Sequence, residues 1–189
     1  MGGTGLRYAY KASLIGSAHQ FELTEQGLSW RVAGRSGVWP YADIASVRLS
    51  YRPVSMQARR FRADLKKERG GWLPIFSTSW QTAALMAPQD NDYRAFIVEL
   101  HRRMAKAGSQ AALSGGLHPR FYAAAIVCMG LLAVAMTGLL LRSIATGQWA
   151  GALFLVGFAV LFAWQVGGFI TRNRPVTYSF GELPNALLP

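Results

Sequence analysis

The sequence predicts an α+β protein: a small bent β-sheet or barrel closed by a C-terminal amphipathic helix, followed by a two-helix transmembrane hairpin. Three observations predict it. Period-two alternation of apolar and polar residues recurs between residues 19 and 78, a single 3.6-period apolar face follows at 90–107, and two apolar runs, 121–141 and 149–170, contain no charged residue. At a rise of 1.5 Å per residue each run reaches roughly 30 Å, the hydrocarbon thickness of a bilayer.

In chain order, the leading segment 7–17 alternates Tyr8, Tyr10 and Leu14 with Arg7 and Lys11 and can add a strand. Phe21 and Leu23 alternate with Glu22 and Thr24, and after a Gln26-Gly27 turn Leu28, Trp30 and Val32 alternate with Ser29 and Arg31, which reads as a hairpin. Residues 34–37 supply a second turn into 38–41, where Pro40 argues for a sheet edge because it has no N–H for a ladder. Ile44, Val47 and Leu49 continue the apolar face. Phe61, Ala63 and Leu65 then alternate with Arg60, Arg62, Asp64 and Lys66, and Lys67-Glu-Arg-Gly-Gly71 turns the chain into a strand over 72–78.

Between 90 and 107 Tyr93, Phe96, Ile97, Leu100 and Met104 share one helical face, opposite Arg94, Glu99, Arg102, Arg103 and Lys106. Asp90 or Asn91 can cap the start, and Gly108 can end the helix. Strands followed by one closing helix resemble a pleckstrin-homology-like domain of the bacterial membrane-anchored kind. The resemblance is carried by Phe21-Glu-Leu-Thr-Glu-Gln-Gly-Leu28, Val38-Trp-Pro-Tyr-Ala-Asp-Ile44, Trp72-Leu-Pro-Ile-Phe-Ser77 and the helix from Tyr93 to Met104, about half the chain. It implies a seven-stranded bent sheet plugged by the helix and used for binding; a lipocalin-like or other small barrel gives a similar string. In members that bind phosphoinositides the first strand pair and its loop are basic. The matching turn here, Thr24-Glu-Gln-Gly27, is acidic, so no ligand residue carries over.

The expected organisation is a cytoplasmic domain at 1–110, a linker at 111–120, a membrane hairpin at 121–171 and a cytoplasmic tail at 172–189. Arg102, Arg103, Lys106 and Arg120 precede the spans and Arg172 and Arg174 follow them, against Arg142 alone in the connection 142–148; by the positive-inside rule both termini are cytoplasmic, in a bacterial inner membrane. The amino terminus has no signal-peptide core, and Leu6 stands where a myristoylation signal needs Ser or Thr. Gly130 and Gly138 of the first span and Ala159, Ala163 and Gly167 of the second offer small positions for helix–helix packing, and Gln165, the one strongly polar side chain in either run, should hydrogen-bond across helices or reach the interface.

The net charge is +11, and residues 1–120 carry 17 of the 20 Lys and Arg with 8 of the 9 Asp and Glu, a balance of +9. Such a domain suits an anionic leaflet, and nothing in it matches a nucleic-acid motif. Arg59, Arg60, Arg62, Lys66, Lys67 and Arg69 fall within eleven residues and form the candidate surface for anionic lipid or a partner, or else an edge hairpin protected by its charges. His19, His101 and His118 lie far apart without metal-ligand spacing, the lone Cys128 is in a span, and no nucleophile elbow, P-loop or paired carboxylates occur. The expectation is therefore a protein without enzymatic activity, cofactor, metal or small-molecule substrate. The tail is apolar, and Tyr178, Phe180, Leu183 and Leu187 are its candidate docking residues, on its own domain or on another protein. These features lead to a membrane-anchored binding module whose partners are lipid and a protein or a second copy, with an accessory subunit of a larger membrane complex as the alternative.

Overall fold

The computed structural model describes residues 5–53, 59–82 and 85–189. They divide into two units, Met1–Gly116 with Val176–Pro189, and Leu117–Pro175. The first is α+β. It contains strands β1 (Arg7–Tyr10), β2 (His19–Leu23), β3 (Leu28–Val32), β4 (Arg35–Trp39), β5 (Ile44–Tyr51), β6 (Phe61–Lys67), β7 (Trp72–Phe76), β8 (Thr78–Thr82) and β9 (Leu85–Pro88), helix α1 (Asp90–Lys106), and strands β10 (Ala112–Gly115) and β11 (Val176–Thr177).

Three sheets are formed, in the orders β1-β2-β3-β4, β11-β10-β5-β6-β7 and β8-β9. The expected β2–β3 hairpin is present, with Leu23 paired to Leu28 and Phe21 to Trp30. Its turn needs glycine: Gly27 has φ +148°, and a Cβ there would stand 2.2 Å from the Trp39 carbonyl oxygen. The next turn is not at 34–37. Ala33 and Gly34, with φ of 49° and 78°, close a two-residue hairpin whose left-handed turn matches strand twist, so that β4 already starts at Arg35. Gly37 lies inside β4 because the Trp30 ring fills the space of a side chain there, 3.1 Å from a Cβ. β4 is a sheet edge, and Pro40 ends it by capping a short 3-10 turn, Tyr41–Asp43.

Among the described residues no closed barrel forms. At the edge of β7, Pro74 has no N–H to give, and the carbonyls of Pro74 and Phe76 accept the hydroxyls of Tyr10 and Tyr8 in place of a strand ladder. Burial raises the pKa of both phenols, which keeps them donors. The β8–β9 hairpin was not visible in the alternation, which ended at residue 78; β1 meets it through the Lys11 N–H on Ser79 Oγ and the Trp80 N–H on the Lys11 carbonyl.

α1 has its expected length and face. Tyr93, Phe96, Ile97, Leu100 and Met104 have no exposed surface, and the four aliphatic and phenyl side chains among them each contribute roughly 1.5–3 kcal/mol by burial. Tyr8 packs on Phe96 and edge-on to Tyr93, at 5.6 and 6.0 Å between ring centres. Gln89, not Asp90 or Asn91, occupies the N-cap, without a side-chain cap bond. Gly108 follows the helix with φ +68°.

The segment 111–120 is not a free linker. β10 runs parallel to β5, with Leu113 against Val47, and antiparallel to β11, with Gly115 against Val176. The tail therefore belongs to the first unit, where Leu187 and Leu188 are buried.

The second unit holds α2 (Pro119–Ala145) and α3 (Trp149–Arg172), each longer than its charge-free run. Both are long and apolar enough to cross a membrane, and their apolar stretches are almost wholly unburied. Gly147, at φ +69°, and Ser143 Oγ, which donates to the Gln148 carbonyl at 2.8 Å, shape the connection. The result is a two-helix apolar hairpin.

Candidate functional site

The pleat of β6 divides the basic hairpin. Phe61, Ala63 and Leu65 point into the core, which puts Arg60, Arg62, Asp64 and Lys66 on the outer face. Arg62 donates to Asp64 Oδ1 from Nε at 2.9 Å and from Nη2 at 2.7 Å, and Trp72 Nε1 donates to the same oxygen at 2.7 Å. The guanidiniums of Arg60 and Arg62 lie 4.7 and 5.3 Å from the centre of the Phe76 ring, and Arg62 is also 5.1 Å from Trp72. Lys67 is paired with Asp43 at 3.1 Å. Arg59, Lys66 and Arg69 are exposed. The six cations are thus not one uniform patch: two are stacked on aromatics, one is ion-paired on another element, and three remain in solvent.

A second charged site, which the sequence did not announce, joins the end of α1 to the β2–β3 turn. Glu99 accepts from Arg102 Nε at 2.7 Å and Nη2 at 2.9 Å, and from Arg103 Nε at 2.7 Å. Arg103 also donates to the carbonyls of Leu23 and Thr24, and Tyr41 donates to the Thr24 carbonyl at 2.8 Å. Hydrogen bonds from Arg102, then from Arg103, hold the Glu99 carboxyl at about 2. Thr24, Tyr41, Glu99, Arg102 and Arg103 border an open depression of about 500 Å³ with Glu25 and Lys106. The i, i+3 and i, i+4 spacing of Glu99, Arg102 and Arg103 was the available signal, but it reads equally as an ordinary helix face.

The tail docks on its own domain. His101 has no exposed surface; its Nδ1 donates to the Ile97 carbonyl at 2.7 Å, which leaves Nε2 to accept the Tyr178 hydroxyl at 3.0 Å. Phe180 meets the His101 ring edge-on at 6.2 Å. Leu187 covers Gly115, where a Cβ would stand 2.5 Å from Leu187 Cδ1. Arg94 ties down the end, donating to the Pro189 carbonyl at 2.8 Å and to Asn185 Oδ1 at 3.1 Å. Of the candidate docking residues, Leu187 is the buried anchor, while Tyr178, Phe180 and Leu183 are half-buried.

Within the hairpin, Ala159 and Ala163 line a groove of about 350 Å³ with Met129, Ala133, Met136 and Thr137. Gly130, Gly138 and Gly167 do not share that contact: a Cβ added at any of them would meet nothing within 4 Å. Space is open at the Cβ position of all three glycines. Gln165 is partnered. No group of three or more His, Cys, Asp or Glu among the described residues can hold a metal ion. No family model, curated protein or solved structure matches the chain.

Proposed function

We propose that this chain is a non-enzymatic binding module anchored by α2 and α3 in a bacterial inner membrane, multi-pass with both termini in the cytoplasm. Its pleckstrin-homology-like domain is presented to the anionic leaflet or to a protein partner. The observation that carries this reading is the union of two units in one chain: an apolar hairpin whose surface is left unburied, and a domain whose outer β6–β7 face concentrates arginine and aromatic side chains. Positive charge flanking the spans supports the orientation, since Lys and Arg near span ends are retained on the cytoplasmic side. Each exposed cation near an anionic surface contributes about 1 kcal/mol. Arg59, Lys66 and Arg69 remain available for that attraction.

The alternative, an accessory subunit of a larger membrane complex, is favoured by one observation: Gly130, Gly138 and Gly167 leave backbone open to close approach by another helix. Native mass measurement of the full chain after mild detergent extraction tests both readings. Retained anionic lipid supports the leaflet reading, and a stoichiometric protein supports the partner or subunit reading. A lone monomer retaining neither would overturn both.

A further inference from the structure

We propose that the outer face of β5–β6–β7 holds a phosphate-binding site built from Arg52, Arg60 and Arg62. The inference rests on the membrane-module reading above and gives its basic face a specific ligand chemistry.

The register places the three guanidiniums together. Ser50 pairs with Arg62 across β5 and β6, and one step further out the Arg52 N–H donates to the Arg60 carbonyl at 2.8 Å. Residues 50 and 52 on one strand and 60 and 62 on the other therefore share a face, with Arg52 directly opposite Arg60. Like charges opposite each other in a sheet repel. Among the described residues one carboxylate on this face, Asp64, stands against them, and it is already shared by Arg62 and Trp72 Nε1. Arg60 is half-buried and stacked on Phe76.

Two polar atoms on the same face are buried without a hydrogen-bond partner: Arg60 Nε and Ser50 Oγ, the latter on a residue only 2% exposed. Native domains seldom leave such atoms unsatisfied. An oxyanion relieves the repulsion between Arg52 and Arg60 and gives their planar, fixed donors the acceptors they match best. Phosphate fits better than a carboxylate, because its oxygens form a tetrahedron and can meet guanidiniums arriving from two strands, while a carboxylate presents a single planar edge. The acidic β2–β3 turn takes no part, so the site is distinct from the basic first-loop site that the family resemblance would suggest. The phosphate can come from a lipid headgroup or from solution.

The test uses the full chain in uncharged detergent at about 0.15 M salt, where the Debye length of ~8 Å suppresses diffuse attraction. Phosphorus NMR titration is run in two arms: inorganic phosphate, and micelles doped with phosphatidic acid against micelles doped with phosphatidylcholine. Wild type should bind, and the double variant Arg52→Gln, Arg60→Gln should bind about 10- to 100-fold more weakly. Arg52→Gln alone, on an exposed side chain that the fold does not need, should already weaken binding several-fold, about 5-fold or more. Lys66→Gln with Arg69→Gln should leave binding of inorganic phosphate within about 3-fold of wild type and weaken capture by phosphatidic acid micelles less than the Arg52, Arg60 variant does, because those cations lie outside the cluster. Saturation by inorganic phosphate assigns a soluble ligand, and binding only to the phosphatidic acid micelles assigns the headgroup; either supports the site. Equal weakening by the two double variants overturns it in favour of diffuse charge and leaves the leaflet reading standing. No binding by wild type in either arm also overturns the site, whereas the membrane-module reading falls only if native mass measurement finds neither lipid nor partner.

Discussion

Leu187→Ala tests whether the tail is a working part of the domain. Leu187 is 1% exposed and covers Gly115 between Val176 and Pro184. Truncation removes three carbon atoms from a packed site, which loses about 2–3 kcal/mol once transfer and the residual cavity are combined. The rest of the segment is held by a two-residue ladder to β10, the Tyr178–His101 bond, Phe180 against the His101 ring, buried Leu188 and the contacts of Arg94, all spread along the tail. The loss should therefore appear as local opening. Hydrogen exchange on the full chain reads it directly: amides of Tyr178 and Leu187 should exchange about 30- to 150-fold faster, while amides of β6 and β7 keep their protection. Exchange within about 3-fold of wild type at both positions would mean that the tail is held by something other than the Leu187 contact, and the packing argument would be wrong.

Three further predictions concern other parts of the molecule. Burial lowers the pKa of His101 below its ordinary 6.5, so the opened state takes up a proton more readily than the docked one; tail protection should be full above about pH 6.5 and decline on acidification, and Tyr178→Phe should weaken protection already at neutral pH by leaving Nε2 unpartnered. Gly27→Ala forces a Cβ onto the Trp39 carbonyl at a left-handed φ and should destabilise the domain by about 1–3 kcal/mol, seen as a lowered thermal midpoint; an unchanged midpoint contradicts the turn geometry. For topology, Gln110→Cys combined with Cys128→Ala should resist a membrane-impermeant maleimide in intact cells and react after permeabilisation, and labelling from outside reverses the orientation.

What the sequence revealed and what it hid follow from range. The β2–β3 hairpin and α1 carry their signals within a dozen residues, as period-two alternation about Gly27 and as the 3.6-period stripe from Tyr93 to Met104. β10 and β11 carry none. Four residues and two residues are too short for a period, and their pairing joins positions 61 and 63 residues apart in the chain. The turn at Ala33-Gly34 was displaced toward Gly37 because composition shows where glycine is, but not that Trp30 is the reason for it. The basic run looked like one surface because six cations crowd eleven residues. The pleat, the single carboxylate of Asp64 and the distant Asp43 decide which of them stay free, and only the fold supplies those partners. Arg52 escaped notice because its neighbour Arg60 is eight residues away in sequence and directly opposite only in register.

The position of β11 also orders events in time. β10 leaves the sheet at Gly115 and the chain returns at Val176, so sixty residues, including both apolar helices, are synthesised between one strand and the strand that pairs with it. At roughly 5–20 residues per second that interval lasts about 3–12 s, during which the β10 edge and the buried ring of His101 wait for their cover. Leu187 and Leu188, which seal that end of the core, come later still. A chain that stops after α3 lacks the side chains that finish its own α+β unit. Completion of the domain is thereby made to follow production of the hairpin, and a finished core is one whose helices have already been made.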